Sequence, residues 1–235
     1  MKRTTTGRLR ELEVLFLRCR HGWRDFFFEL EQGDASLLAE DPWGDLDDFL
    51  AEVDPEHLES FGQTLAEMVA GDDVKAQAQA LAIIGACDHP FDLAVAVANE
   101  KAIRKDLEAH LALLLAIGQR RFEAGRPAVD AALADPQRRH AALIALAQLD
   151  PPAAVKPGRD AYQKDRARIV QTLGRPLDEH EYATFYQMAE GLLQARGAAD
   201  LGDFLRAVAG ADESLRDELE KLRDRLVKQA EAAAA

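Results

Sequence analysis

Apolar residues recur at intervals of three and four along most of the chain, which is the spacing of one face of an α-helix. In residues 55–70, for example, the apolar stripe consists of Leu58, Phe61, Leu65, Met68 and Val69. No segment alternates apolar and polar residues over six positions while being rich in β-branched residues, as a half-buried strand would. The pattern therefore predicts an all-α fold.

Asp-Pro pairs mark four of the predicted helix starts, at 41–42, 54–55, 135–136 and 150–151. An Asp side chain accepts hydrogen bonds from the free amides of a helix N-terminus, and Pro suits the first helical position because it has no N–H group. Together with the apolar spacing, these pairs predict helices over 5–32, 42–53, 55–70, 74–87, 91–98, 100–121, 127–134, 136–149, 152–172, 179–196, 199–209 and 213–232.

The middle of the chain repeats itself at an offset of 62 residues, with 73–90 matching 135–152. The identical pairs in this gapless alignment are Asp73/Asp135, Ala80/Ala142, Leu81/Leu143, Asp88/Asp150 and Pro90/Pro152. Self-similarity at a fixed offset is typical of repeat architectures, in which each unit is one supersecondary motif. Each unit here contains an Asp turn followed by a longer helix rich in Ala and Leu.

These features resemble HEAT-type α-solenoid repeats over residues 73–175. The resemblance is carried by the Asp turn, by the basic residue soon after it (Lys75 and Arg139) and by the Ala/Leu pattern. It implies paired helices that stack and bury a continuous core that no single unit could bury. The alternative is an Ala-rich helical bundle in which the self-similarity arises by chance.

Composition predicts three parts of the chain. Residues 1–72 form an aromatic-rich, acidic helical subdomain, since both tryptophans and six of the ten phenylalanines precede residue 62. Residues 73–175 hold the HEAT-like repeats. Residues 176–235 hold the C-terminal helices, and the last of these has leucines at heptad-like spacing on a strongly charged helix: Leu215, Leu219, Leu222 and Leu226. We expect this short seam to dock on its own chain.

Charge is distributed very unevenly along the chain. Residues 25–74 contain sixteen Asp and Glu residues and no Lys or Arg, while the formal charge of the whole chain is −13. Folding brings like charges closer together, so this block needs internal compensation or a cationic partner. We therefore expect a protein–protein interaction module or adaptor that binds a basic partner through an acidic surface, including roles of the inhibitor or immunity type.

The candidate partner-binding residues combine aromatic side chains, which supply contact energy, with carboxylates, which steer a basic partner. They are Asp41, Trp43, Asp45, Asp47, Asp48, Phe49, Glu52 and Glu56. The alternative is that the aromatic side chains are buried and the carboxylates form a solvated face.

The sequence contains no motif that fixes a chemistry. Phosphate-binding glycine loops, the nucleophile elbow and the HExxH zinc motif are absent from it. The acidic run at 178–181 is explained by the preference for carboxylates at a helix N-terminus. We therefore predict no catalytic, cofactor-binding or metal-binding residue, with a HEAT-like enzyme of unrecognised type as the alternative.

The acidic balance argues against a nucleic-acid binder, because such proteins neutralise phosphates with Lys and Arg. The alternative on this point is the Arg-rich N-terminal helix, which carries Arg3, Arg8, Arg10, Arg18, Arg20 and Arg24. Two isolated cysteines and the lack of a long apolar run favour a soluble cytoplasmic protein that does not enter a membrane. The sequence does not predict an oligomeric state.

Overall fold

The computed structural model describes residues 55–86, 89, 91–173 and 183–233, and every regular element in these ranges is a helix. The predicted all-α class is therefore confirmed for this part of the chain. The α-helices are α1 (Pro55–Ala70), α2 (Val74–Ala86), α3 (Ala94–Ala98), α4 (Glu100–Ile103), α5 (Leu107–Gln119), α6 (Arg126–Ala132), α7 (Arg139–Leu149), α8 (Pro151–Thr172), α9 (Thr184–Ala209) and α10 (Glu213–Ala233), with a short 3-10 helix at Glu123–Gly125. None of the described helices is both long and apolar enough to cross a membrane.

The chain divides into two compact units, residues 1–116 and 117–235, with the division inside α5. The three parts expected from composition, at 1–72, 73–175 and 176–235, remain a prediction. The predicted helices over 5–32 and 42–53 lie outside the described residues.

Two Asp-Pro pairs begin helices where the sequence predicts them. Helix α1 begins at Pro55 and α8 at Pro151, where the Asp150 side chain accepts a hydrogen bond from the Ala153 amide at 3.2 Å. The pair at 135–136 is followed by one turn before α7 begins at Arg139. The pair at 41–42 lies outside the described residues.

The predicted helix over 100–121 is wrong as a single helix. A turn at residues 104–106 separates α4 from α5, and the Asp106 side chain accepts a hydrogen bond from the Ala109 amide at 3.0 Å. Asp106 therefore caps a new helix start, a function that the continuous apolar spacing concealed. The predicted break near residue 197 is confirmed locally, because Gly197 has φ 86° and ψ 176° inside α9.

In the first unit, α1 packs against α2 and α3. The α1 residues Leu65 and Met68 are fully buried, as are Leu81 on α2 and Leu93 just before α3. The apolar stripe predicted for residues 55–70 therefore faces this core at its C-terminal half. On another face of α1, Glu59, Gln63 and Glu67 are exposed.

In the second unit, α9 contacts α7, α8 and α10. Its buried Phe185 lies edge-on to Tyr162 of α8, with ring centroids 5.2 Å apart, and stacks near Phe204 at 6.1 Å. Three of the four heptad-like leucines of α10, Leu219, Leu222 and Leu226, are buried. Since α10 contacts α9, the last helix docks on its own chain as expected.

The two Asp turns of the 62-residue repeat have the same local hydrogen bonding. Asp73 accepts a hydrogen bond from the Lys75 amide at 3.1 Å, and Asp135 accepts one from the Gln137 amide at 3.0 Å. The donor is two residues after the Asp in both turns. The repeated Asp therefore has the same function, which is to hold the turn before a helix.

A second contact recurs four residues after each Asp. The Gln77 side chain donates to the Gly71 carbonyl at 2.6 Å, and the Arg139 guanidinium donates to the Leu133 carbonyl at 2.8 Å. Both carbonyls lie two residues before the Asp, in the stretch that ends the preceding helix. In the first turn Gln77 thus takes the position of Arg139, whereas the predicted basic residue, Lys75, is exposed.

Helix α5 ends in a strained turn. The Phe122 amide donates a hydrogen bond to the Ile117 carbonyl, and the Arg121 amide donates one to the Gly118 carbonyl, both at 2.9 Å. This pair of bonds is accompanied by a left-handed backbone conformation at Arg121, with φ 49°. A residue with a side chain pays an energy cost in this conformation that glycine avoids.

We expect Arg121→Gly to raise the free energy of unfolding, measured by urea denaturation, by about 0.5–1 kcal/mol. Gln119→Gly, two residues earlier and still helical, should instead lower it by about 1 kcal/mol. Equal effects of the two changes would contradict this account.

Candidate functional site

The predicted partner-binding residues fall almost entirely outside the described part of the chain. Seven of them precede residue 55: Asp41, Trp43, Asp45, Asp47, Asp48, Phe49 and Glu52. The eighth, Glu56, lies in the first turn of α1. Their grouping into one surface therefore remains a prediction. The candidate site is built from the described residues of the acidic block and from the described residues that follow it.

One face of α1 presents the described part of the acidic block. Glu59, Gln63 and Glu67 are exposed and lie four residues apart, which places them on one face of the helix. Gln63 donates a hydrogen bond from Nε2 to Glu59 Oε1 at 3.4 Å. Because Leu65 and Met68 are fully buried, α1 separates an apolar face from an acidic one.

A groove opens beside this acidic face, within the first unit. It has a volume of about 470 Å³ and lies between α1, the C-terminal part of α2 and the segment that follows α2. We call it the acid-rimmed groove, and its lining residues are Leu58, Glu59, Gly62, Gln63, Leu65, Ala66, Ile84, His89, Phe91 and Asp92. Leu65 and Ile84 form its buried floor, while Leu58, Ala66 and Phe91 remain partly exposed.

The position of the Phe91 ring depends on a glycine of α1. A Cβ atom on Gly62 would lie 3.3 Å from Cδ1 and 3.5 Å from Cε1 of Phe91, so the ring packs directly over the glycine backbone. The Phe91 ring also lies 4.5 Å from the His89 ring, centroid to centroid, at an interplanar angle of 56°. The groove thus has an aromatic wall held against α1 at the point where α1 has no side chain.

The charged side chains at the groove are all acidic among the described residues. Glu59 and Asp92 are both exposed, and the ten described lining residues include no Lys or Arg. Asp92 also caps α3, since its Oδ1 accepts a hydrogen bond from the Ala94 amide at 2.7 Å. After the acidic block, residues 75–100 contain three acidic residues, Asp88, Asp92 and Glu100, and one Lys or Arg, Lys75. The excess of carboxylates therefore continues past residue 74, although it is smaller there.

The second unit contains a shallower depression of different character. It has a volume of about 390 Å³ and lies between α9 and α10, where Arg223 and Lys228 alternate with Asp224 and Glu231. Arg223 also forms an ion pair with Asp224 at 2.6 Å. Because acidic and basic side chains are mixed here, this depression does not favour a partner of either charge, in contrast to the acid-rimmed groove.

Several buried or partly buried titratable groups elsewhere in the described residues are engaged in the fold. Nε2 of the fully buried His110 lies 3.2 Å from Glu100 Oε1, and the Tyr162 hydroxyl donates a hydrogen bond to Glu218. Burial, reinforced by Glu218, raises the pKa of Tyr162, and burial alone raises the pKa of Glu190. No group of three or more His, Cys, Asp or Glu side chains in the described ranges is placed to hold a metal ion.

Sequence reasoning missed the acid-rimmed groove. The signal available was Phe91, an aromatic residue directly after the His-Pro pair at 89–90 and before Asp92. That signal indicates a packed aromatic residue, but it does not reveal that the ring packs on Gly62, which lies 29 residues earlier.

Comparison of this chain with protein-family models, with curated proteins and with solved structures finds no match.

Proposed function

We propose that this protein is a non-catalytic protein–protein interaction module that binds a partner with a basic surface through the acidic surface of its N-terminal third. The observation that supports the proposal is that two carboxylates of the block at 25–74, Glu59 and Glu67, are exposed on α1, with Asp92 as a further exposed carboxylate on the rim of the groove. A surface whose charges are all negative speeds association with a positively charged partner and disfavours partners that are also negative.

We further propose that residues 73–175 form HEAT-like repeats that act as the scaffold for this surface. Support comes from the two Asp turns at 73 and 135, which share both the Asp-to-amide hydrogen bond and the side-chain contact to the preceding helix. Positions matched at the repeat offset are also buried in both helices, as in the pairs Ala80/Ala142 and Ile84/Leu146.

The test of the interaction is a charge reversal in the acidic block of the full chain, Asp45→Lys with Asp47→Lys and Asp48→Lys. We expect this variant to lose the proteins that the unmodified chain captures by affinity purification from its native host, because the steering field and the local carboxylate contacts are removed. Mass spectrometry of the captured proteins provides the readout.

A matched control places the same change of charge on α10, at the exposed positions Asp217, Glu220 and Glu231. This control should capture the same proteins as the unmodified chain. If both variants lost the captured proteins equally, the loss would reflect a general effect of net charge. If the variant with Asp45, Asp47 and Asp48 changed to Lys captured the same proteins as the unmodified chain, the acidic block would have no role in partner binding.

A further inference from the structure

We infer that the acid-rimmed groove binds an amphipathic helical segment of a partner protein, with its apolar side chains in the groove and its Lys or Arg residues against the rim. The inference rests on the proposed function and specifies the chemistry of the partner. It comes from three features of the groove: its apolar floor, its open side and the single sign of its charge.

The apolar floor requires an apolar contact. Leu65 and Ile84 lie beneath the groove, while Leu58, Ala66 and Phe91 present apolar surface that is only partly covered. Removing apolar surface from water on binding favours the complex. Neighbouring apolar side chains on a helix, three or four residues apart, are the usual way to fill such a groove.

The shape of the groove favours a segment laid on the surface. Small-molecule sites enclose most of the surface of their ligand. Among the described residues, this groove is bordered by α1, Ile84, His89, Phe91 and Asp92, and Glu59, Gln63 and Asp92 on its margins are exposed. An occupant would therefore bury one face and keep the other in water, which is what an amphipathic helix does.

The rim charge selects the polar face of the occupant. Glu59 and Asp92 present carboxylates, and the described lining residues include no Lys or Arg, so an acidic segment would meet repulsion there. Lys and Arg have long apolar stems that cover hydrophobic surface while their charged ends reach a carboxylate. A segment with apolar residues flanked by Lys or Arg satisfies both features.

The test uses a fluorescent model peptide of about 18 residues with Leu at helical spacing and Lys on the remaining face. Binding to the full chain is measured by fluorescence anisotropy, with a peptide of the same composition but scrambled order as the peptide control. We expect the amphipathic peptide to bind at least ~10-fold more tightly than the scrambled one, because only the former can bury an apolar face.

The location is tested with paired substitutions on α1. Ala66→Lys changes a lining residue, and Ala70→Lys makes the same change at an exposed position outside the groove. We expect Ala66→Lys to weaken peptide binding by about 10-fold and Ala70→Lys by less than about 2-fold. Glu59→Lys, at an exposed rim position, should weaken it by about 3-fold or more and reduce its dependence on salt. Thermal melts of all three variants show whether the fold is retained.

The possible outcomes distinguish a failure of the groove inference from a failure of the proposed function. Equal binding of both peptides, or equal effects of Ala66→Lys and Ala70→Lys, would overturn the groove inference even where the charge reversal at 45–48 abolishes capture of native partners. Unchanged native capture by that charge reversal, together with groove-dependent peptide binding, would overturn the proposed use of the acidic block and leave the groove inference standing. Self-association of the chain that Ala66→Lys abolishes, without peptide binding, would identify a second copy as the occupant and also overturn the inference.

Discussion

Gly118→Ala is expected to lower the free energy of unfolding by about 2 kcal/mol, although alanine favours helices more than glycine does. Gly118 is the penultimate residue of α5, and a Cβ atom there would lie 2.6 Å from Cα and 3.0 Å from Cβ of Ala145 on α7. The same atom would collide with Oε1 of the buried Gln148. The neighbouring atoms include backbone, so relief requires two helices to move apart.

The magnitude follows from two opposing effects. Adding a methyl group to a well-packed contact costs about 1–3 kcal/mol and sometimes more, and the Ala145 backbone places this site at the upper end of that range. Replacing glycine by alanine within a helix gains about 1 kcal/mol. The clash therefore outweighs the gain in helix propensity, and urea denaturation followed by circular dichroism measures the difference.

Gly202→Ala is the matched control. Gly202 is also a helical glycine, in α9, but the nearest atom to the position that its Cβ would occupy is the flexible end of Arg206 at 3.5 Å, an ordinary contact. We expect this variant to be more stable than the unmodified chain by about 0.5–1 kcal/mol. If Gly118→Ala also stabilised the protein, the close approach of α5 and α7 at this point would be refuted.

Asp150→Ala is expected to lower the free energy of unfolding by about 2 kcal/mol. Asp150 caps α8 by accepting the Ala153 amide, and it also accepts a 2.6 Å hydrogen bond from Nη1 of Arg126 on α6. Loss of an N-cap side chain alone costs about 0.5–2 kcal/mol. Because the Asp150 side chain is 37% exposed, the ion pair with Arg126 adds only a small, screened contribution.

The effect of Asp150 should depend on pH with a definite sign. Hydrogen bonds from Arg126 and from the Ala153 amide hold the pKa of Asp150 below its ordinary value of 3.8. A lowered folded-state pKa stabilises the fold above the unfolded-state pKa, and this contribution is lost as pH falls through the folded-state pKa. The stability difference between the unmodified chain and Asp150→Asn should therefore be constant near neutral pH and shrink below about pH 4.

Asp130→Ala is the control for this set, because Asp130 also pairs with Arg126, at 2.8 Å, but does not accept the Ala153 amide as Asp150 does. We expect a loss of no more than about 0.5 kcal/mol, the usual value for an exposed pair four residues apart on a helix. Similar losses for Asp130→Ala and Asp150→Ala would show that the ion pair outweighs the cap.

The positions of helix starts could be predicted where the determinant is local. Asp150 and Pro151 are adjacent in the chain and act on amides within three residues, so the sequence shows the whole interaction. The break at Asp106 was missed because the apolar spacing runs through it without interruption. A capping Asp without a following Pro is a weak signal inside a run of helix-forming residues.

The candidate site could be predicted only in its charge. Counting residues along the chain shows an excess of carboxylates before residue 75, and α1 indeed exposes Glu59 and Glu67. The groove beside them depends on Phe91 packing over Gly62 and on Ile84 lying beneath, which joins residues from three separate segments. No local sequence pattern predicts that these three segments come into contact.

By itself the sequence determined the all-helical class, two helix starts at Asp-Pro pairs and the concentration of negative charge, because propensity, capping and charge act over a few residues. Only the tertiary structure decided where helices approach closely, as at Gly118 and Ala145, and where they leave apolar surface open, as in the acid-rimmed groove. The physical reason is that packing joins side chains distant in sequence, and their fit depends on distances that the chain acquires only when it folds.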